Sequence, residues 1–132
     1  RGNIEKFDCA SLINPARMVL LPPQGYLEML GLMAGATVVL TDSGGLQEET
    51  TALGVPCLTL RENTERPITV AQGTNILVGR DRGAILQGVD DILAGRGKRG
   101  RVPELWDGHA AERIAADLWQ WLTARAAGAG KA

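Results

Sequence analysis

Apolar and polar positions alternate along this chain in two different rhythms. Met18-Val19-Leu20-Leu21 is a continuous apolar run stopped by Pro22-Pro23, and it predicts a short strand. Tyr26 to Ala34 then sets Leu27, Leu30 and Met33 or Ala34 at helical spacing. Thr37-Val38-Val39-Leu40 is β-branched and unbroken, the pattern of a strand covered on both faces. Leu46 to Leu53 predicts a helix with Gly54 as its C-cap. Pro56 leads into a strand over Cys57-Leu58-Thr59-Leu60, a polar loop covers Arg61 to Pro67, and Asn75 to Val78 predicts a fourth strand. Residues 82–94 form an amphipathic helix with Ile85, Leu86, Val89, Ile92 and Leu93 on one face. The glycine-rich, basic stretch 95–108 predicts a loop. A last helix is expected from Ala110 to Arg125, with Trp119, Trp121 and Leu122 packed and a frayed tail from Gly128 to Ala132. Strands alternating with helices mark βαβ units, so the expected fold class is α/β: a Rossmann-like parallel sheet flanked by helices, in one domain over 1–132 and without an internal repeat.

Composition narrows the partners. Hydrophobic residues make up 45% of the 132 but aromatics only 4%, so aliphatic side chains must build the core. The formal net charge of −1 gives no electrostatic reason for nucleic acid or an anionic membrane as partner. The run Arg96-Gly97-Lys98-Arg99-Gly100-Arg101 is basic, but Asp90 and Asp91 precede it and no aromatics interleave, which favours a solvated loop over a nucleic-acid patch. No apolar stretch reaches the roughly 20 residues of a membrane helix, and the opening Arg1-Gly2-Asn3 has neither a signal-peptide layout nor a Met. Cys9 and Cys57 match no metal or redox spacing; Cys57 lies in an apolar run and reads as a buried free thiol rather than half of a disulfide, which fits a reducing cytoplasm. His109 is the sole histidine, so it makes neither a metal site nor a triad and reads as an exposed helix-start residue.

The chemistry concentrates in Thr41-Asp42-Ser43-Gly44-Gly45-Leu46-Gln47-Glu48-Glu49-Thr50, between the clearest strand and a helix. Ligands of open α/β sheets bind outside the carboxyl ends of the strands, where this loop sits. Gly44 and Gly45 carry no Cβ to hold a phosphate away from the backbone. The first N–H groups of the helix lack intrahelical partners, and with the helix dipole they favour an anion by about 0.3–1 kcal/mol when exposed. Ser43 can cap the helix or donate its hydroxyl to a phosphate oxygen. Glu49 stands one turn beyond Gly45, and a carboxylate there suits a sugar diol. The same residues are also good helix design without any ligand. A second element, Thr64-Glu65-Arg66-Pro67, follows the next strand and emerges on the same edge. Arg66 can pair with a diphosphate through its planar fork of donors, or bridge to Glu62 or Glu65 on the surface. Two anion-friendly loops on one edge favour a phosphate site.

These segments, taken in order, resemble a known family. Leu40 to Glu49, Leu53-Gly54-Val55-Pro56, Leu60-Arg61, Thr64-Glu65-Arg66-Pro67, Gly73-Thr74, Leu77-Val78-Gly79 and Asp107-Gly108-His109-Ala110-Ala111-Glu112-Arg113-Ile114 are similar to the C-terminal, UDP-binding domain of the non-hydrolysing UDP-N-acetylglucosamine 2-epimerases, over about residues 18 to 122. The resemblance implies half of a two-domain GT-B fold with its active site in the interdomain cleft, the N-terminal catalytic domain and the first strand–helix unit of this domain being missing. It implies an isomerase that interconverts UDP-GlcNAc and UDP-ManNAc by eliminating and re-adding UDP, without metal or other cofactor. On it, Ser43, Gly44 and Gly45 contact the phosphates, Glu49 holds the ribose, Arg66 meets the charged part of the nucleotide, and Gln24 with the backbone of Met29 lies around the uracil. None of these residues is a catalytic acid or base, so this chain alone is expected to be inactive. The resemblance leaves room for a homodimer and for a cytoplasmic role in supplying cell-envelope polysaccharide precursors. The rival readings are the nucleotide-binding half of a GT-B glycosyltransferase and a truncated, non-catalytic UDP-binding module.

Overall fold

The computed structural model describes residues 2–129. Three parallel strands, β1 (Val39–Thr41), β2 (Cys57–Thr59) and β3 (Asn75–Leu77), form a sheet in that order, with Leu40, Leu58 and Ile76 in one row. Around them lie α1 (Gly2–Lys6), a 3₁₀ turn (Ala10–Leu12), α2 (Tyr26–Ala34), α3 (Gly44–Leu53), α4 (Pro67–Ala71), α5 (Arg82–Leu93) and α6 (Ala110–Ala129). This is the expected Rossmann-like arrangement of a parallel sheet flanked by helices.

The core sits on β2, whose three residues are all fully buried. Gly88 of α5 lies directly over it: a Cβ there would approach Leu58 Cδ1 to 3.1 Å, so glycine lets the helix rest on the central strand. α3 covers the sheet and packs against α2 and α4. It ends as expected at Gly54, whose φ of 72° is the left-handed C-cap that a side chain would strain. Cys57 is a free, buried thiol. Burial pushes its pKa up, partly offset by hydrogen bonds with Thr50 and Thr59.

Several elements differ from expectation. Met18 to Leu21 is exposed and not a strand, because a strand needs a ladder partner and β1 pairs only with β2. β1 is not covered on both faces either: Thr41 is buried, but Leu40 is 44% exposed, so no element packs fully over that side. On α5, Ile85, Val89 and Ile92 turn inward while Leu86 and Leu93 face solvent, a narrower stripe than the pattern suggests. Pro67 does not close a loop; it opens α4, whose first turn needs no N–H from it. α1 has no buried residue and no apolar rhythm to announce it. α6 runs through Gly128 to Ala129, beyond the expected end at Arg125, while residues 130–132 of the expected tail lie outside the described residues. Trp119, Trp121 and Leu122 do not pack: α6 stands largely clear of the sheet and all three are more than half exposed. Arg125 lies over the Trp121 ring, its guanidinium carbon 4.7 Å from the centroid.

The basic stretch is a loop, but not a wholly solvated one. Arg96 Nη2 donates to Asp91 Oδ1 at 2.7 Å. Lys98 Nζ donates to the carbonyl of Val70, at the end of α4, and to that of Asn75 at 3.1 Å. Desolvation lowers its pKa. Arg101 N donates to Gln72 O at 2.8 Å. These groups strap the segment across the amino end of β3.

Candidate functional site

The carboxyl ends of β1 and β2 deliver two loops to one edge. Thr41, the last residue of β1, is buried, and its Oγ1 accepts the Ser43 N–H at 3.0 Å. Ser43 is then extended (φ −86°, ψ 130°) and turns the chain into α3. Its hydroxyl makes no capping hydrogen bond, in contrast to α5, where Asp81 Oδ1 accepts Ala84 N–H at 2.8 Å. The start of α3 therefore presents uncapped N–H groups and a free serine hydroxyl, a donor set suited to an anion.

Arg66 closes over this turn. The Arg66 stem lies against Gly44: a Cβ there would sit in ordinary contact, 3.8 Å from Arg66 Cγ and 4.0 Å from its Nε. The guanidinium does not bridge to Glu62 or to the Glu65 carboxylate. Nη1 donates to the Glu65 carbonyl at 3.3 Å, and Nε lies 3.0 Å from Glu48 Oε1. That N–H is not aimed at the oxygen and has no hydrogen-bond partner. Both side chains are about 40% exposed, so the pair is worth at most about 1 kcal/mol. Glu48 is not among the residues expected at the site. The signal was its place four residues after Gly44, one turn along the face that Arg66 covers.

Glu49 turns elsewhere. It lines an open cavity of about 320 Å³ with Glu48, Ala52 and Trp106, and Trp106 is another neighbour the sequence did not single out. Gln24 and Met29 line a cavity of about 760 Å³ with Val19, Leu21 and Leu32, to which the Ser43 turn contributes no residue. Gln24 Nε2 donates back to Pro22 O at 2.7 Å. Ser43, Gly44 and Arg66 are thus brought together, Gly45 follows at the helix start, and Gln24, Met29 and Glu49 stand on flanking surfaces.

Beneath the edge runs a buried polar network that no motif announces. Gln47 and Asn75 are fully buried. Gln47 Oε1 accepts from Thr64 Oγ1 at 2.6 Å and from Asn75 Nδ2 at 3.1 Å. Its own Nε2 is buried without a partner, which costs about 1–3 kcal/mol. His109 is exposed and 3.5 Å from Glu112, and no group of three or more His, Cys, Asp or Glu converges among the described residues. No described helix is long and apolar enough to cross a membrane.

The model of the UDP-N-acetylglucosamine 2-epimerase family matches residues 4–118. The chain belongs to that family. It is 46% identical over 98 residues to the UDP-N-acetylglucosamine 2-epimerase of Methanocaldococcus jannaschii, covering 74% of this chain and 26% of that protein. With the enzyme of Methanococcus maripaludis it shares 55% over 92 residues, covering 70% and 24%. A crystal structure of the M. jannaschii enzyme in complex with UDP-GlcNAc and UDP superposes with a TM-score of 0.75 at 39% identity, covering 90% of this chain and 33% of that one. The Neisseria meningitidis enzyme bound to UDP-GlcNAc gives 0.68 at 31%, covering 91% and 34%. The chain spans about a quarter of the curated relatives it matches, and its fold is that of one part of the GT-B-type epimerases.

Proposed function

We propose that this chain is the UDP-binding part of a UDP-N-acetylglucosamine 2-epimerase that interconverts UDP-GlcNAc and UDP-ManNAc by eliminating and re-adding UDP. The observation that carries the proposal is the uncapped start of α3 with Arg66 lying across Gly44, in a chain similar to an enzyme solved with UDP-GlcNAc and UDP. In this reading Ser43, Gly44 and Gly45 hold the diphosphate, Arg66 neutralises it, Glu49 takes the ribose hydroxyls, and Gln24 with the Met29 backbone borders the uracil. As the bond between the sugar and the diphosphate breaks, negative charge grows on the leaving group. Donors already fixed at that spot then act most strongly in the transition state. The proton transfers at the sugar belong to a further domain beyond this chain. The assembled enzyme works in the cytoplasm, as a homodimer, on precursors of cell-envelope polysaccharide.

Calorimetric titration with UDP tests the site. Ser43→Ala removes a hydroxyl to a charged phosphate and Glu49→Ala an acceptor for the diol, so each variant should weaken binding by about tenfold or more, a hydrogen bond to a charged group being worth roughly 1.5–3 kcal/mol. Unchanged UDP affinity in both variants would remove this assignment.

A further inference from the structure

Arg66 is held at both of its peptide groups. Its N–H donates to Thr64 Oγ1 at 2.9 Å, and its carbonyl accepts from Thr69 Oγ1 at 2.7 Å. Each threonine is itself held from below. The Thr64 hydroxyl donates to Gln47 Oε1 at 2.6 Å, and Thr69 Oγ1 accepts from Asn75 Nδ2 at 3.1 Å. Asn75 Nδ2 also donates to Gln47 Oε1 at 3.1 Å, and Asn75 Oδ1 accepts from Thr59 Oγ1 at 2.6 Å. Gln47 rides on α3, the helix whose start carries Ser43 and Gly44, while Asn75 opens β3. One buried network therefore ties the loop bearing Arg66 to the helix bearing the glycine turn.

We infer that Gln47 is a positioning residue for the nucleotide's diphosphate: through Thr64 it sets where Arg66 stands relative to the Ser43-Gly44-Gly45 turn. The inference rests on the UDP-binding reading proposed above. Two features favour positioning over plain stabilisation. The network leaves Gln47 Nε2 buried and unpartnered, a cost that an apolar contact between α3 and the Arg66 loop would not carry. Its bonds also converge on the peptide groups of Arg66, the residue whose side chain covers Gly44. A guanidinium gives up its advantage when displaced by even an ångström from the place where charge develops.

The test compares Gln47→Met, which keeps length without the amide, and Thr64→Val, which keeps shape without the hydroxyl, with Thr64→Ser as the conservative control. UDP and uridine affinities are measured by NMR titration of the chain, in the wild-type background and with Arg66→Met. Gln47→Met and Thr64→Val should each raise the Kd for UDP about tenfold and leave that for uridine unchanged, Thr64→Ser should match wild type, and both effects should vanish in the Arg66→Met background. Equal losses for UDP and uridine, or effects that persist undiminished beside Arg66→Met, would overturn the inference in favour of a general structural role. Amide exchange of the unliganded chain separates this inference from the reading it rests on. Gln47→Met should speed exchange at the Arg66 N–H while that of Val55, bonded to Thr50 O, stays put. If UDP fails to bind the wild type, the nucleotide reading falls, yet faster Arg66 exchange still sustains the link from Gln47 to Arg66; unchanged exchange breaks it.

Discussion

At the scale of single residues, the glycines show how differently one residue type can be used. Gly100 lies on the Gly73 peptide, where an added Cβ would collide with the Gly73 carbonyl and Thr74 N, backbone atoms that cannot swing aside. Gly31, inside α2, has nothing within 4 Å of the same added atom. Gly100→Ala should therefore destabilise the fold by about 1–3 kcal/mol through overpacking. Gly31→Ala should stabilise it by about 0.5–1 kcal/mol through helix propensity. Urea unfolding midpoints of the two variants check the opposite signs. The pairing of Gly73 with Gly100 is invisible in the sequence, since 26 residues separate two unremarkable glycines. What was legible at this scale were residues whose place follows from local rules: Gly54 as a left-handed cap, Cys57 as a buried thiol, and Arg66 on the edge of the Ser43 turn. Glu48 was not. Choosing between two adjacent glutamates requires knowing which helix face meets the next loop.

At the scale of elements, the helices with strong local signals, α2, α3 and α5, stand where the apolar rhythm puts them, because helix contacts are near in sequence. Met18 to Leu21 fails for the opposite reason. Its composition is that of a strand, but a strand exists only against a neighbour, and the ladder ends at β1. The start of α6 is a local device that the Asp107-Gly108-His109 run hints at. Asp107 Oδ1 accepts the His109 N–H at 3.0 Å, and its other oxygen pairs with Arg113, one turn into the helix. The Arg113 hydrogen bond, then the His109 amide, hold the Asp107 carboxyl below the usual carboxylate range, and the same pairing raises Arg113. A lowered carboxylate contributes stability that is fully present above its unfolded pKa and lost as pH falls through the lowered value. The helix start should thus be firm at neutral pH and loosen below about pH 4. Asp107→Asn should lower helicity at pH 7 and make no difference at the acid end of that window, as followed by circular dichroism across the range. A gap between variant and wild type that stays constant with pH would show that Asp107 acts by shape alone.

At the scale of the whole molecule, burial and chemistry point the same way. Some of the apolar side chains left outside fall in groups. Val19 and Leu21 lie before α2, Leu40 lies on the sheet edge, and Leu118, Trp119, Trp121 and Leu122 run along α6. Against relatives of which this chain spans about a quarter, such surfaces are what a larger body would cover. In the proposed reading the chemistry is likewise partial. Epimerisation at C2 requires a base on one face of the sugar and an acid on the other. Three carboxylates stand near the Ser43 turn: Asp42 directly before it, Glu48 with an oxygen 3.0 Å from Arg66 Nε, and Glu49, which with Glu48 lines the cavity beside Trp106. In the reading proposed above, binding of the leaving group and transfer of the proton are separable, and this chain carries the first. UDP-GlcNAc incubated with the chain should be bound through its diphosphate yet yield no UDP-ManNAc and release no UDP, as followed by proton NMR of the anomeric signals. Supplying the remainder of the protein should restore turnover, and Ser43→Ala in that restored enzyme should lower kcat by about 10²–10³, the usual effect of losing one preorganised donor to a developing anion. Conversion by the chain alone would mean that one of its own carboxylates reaches the sugar, and Glu49, the less committed of the two glutamates, would be the first to replace.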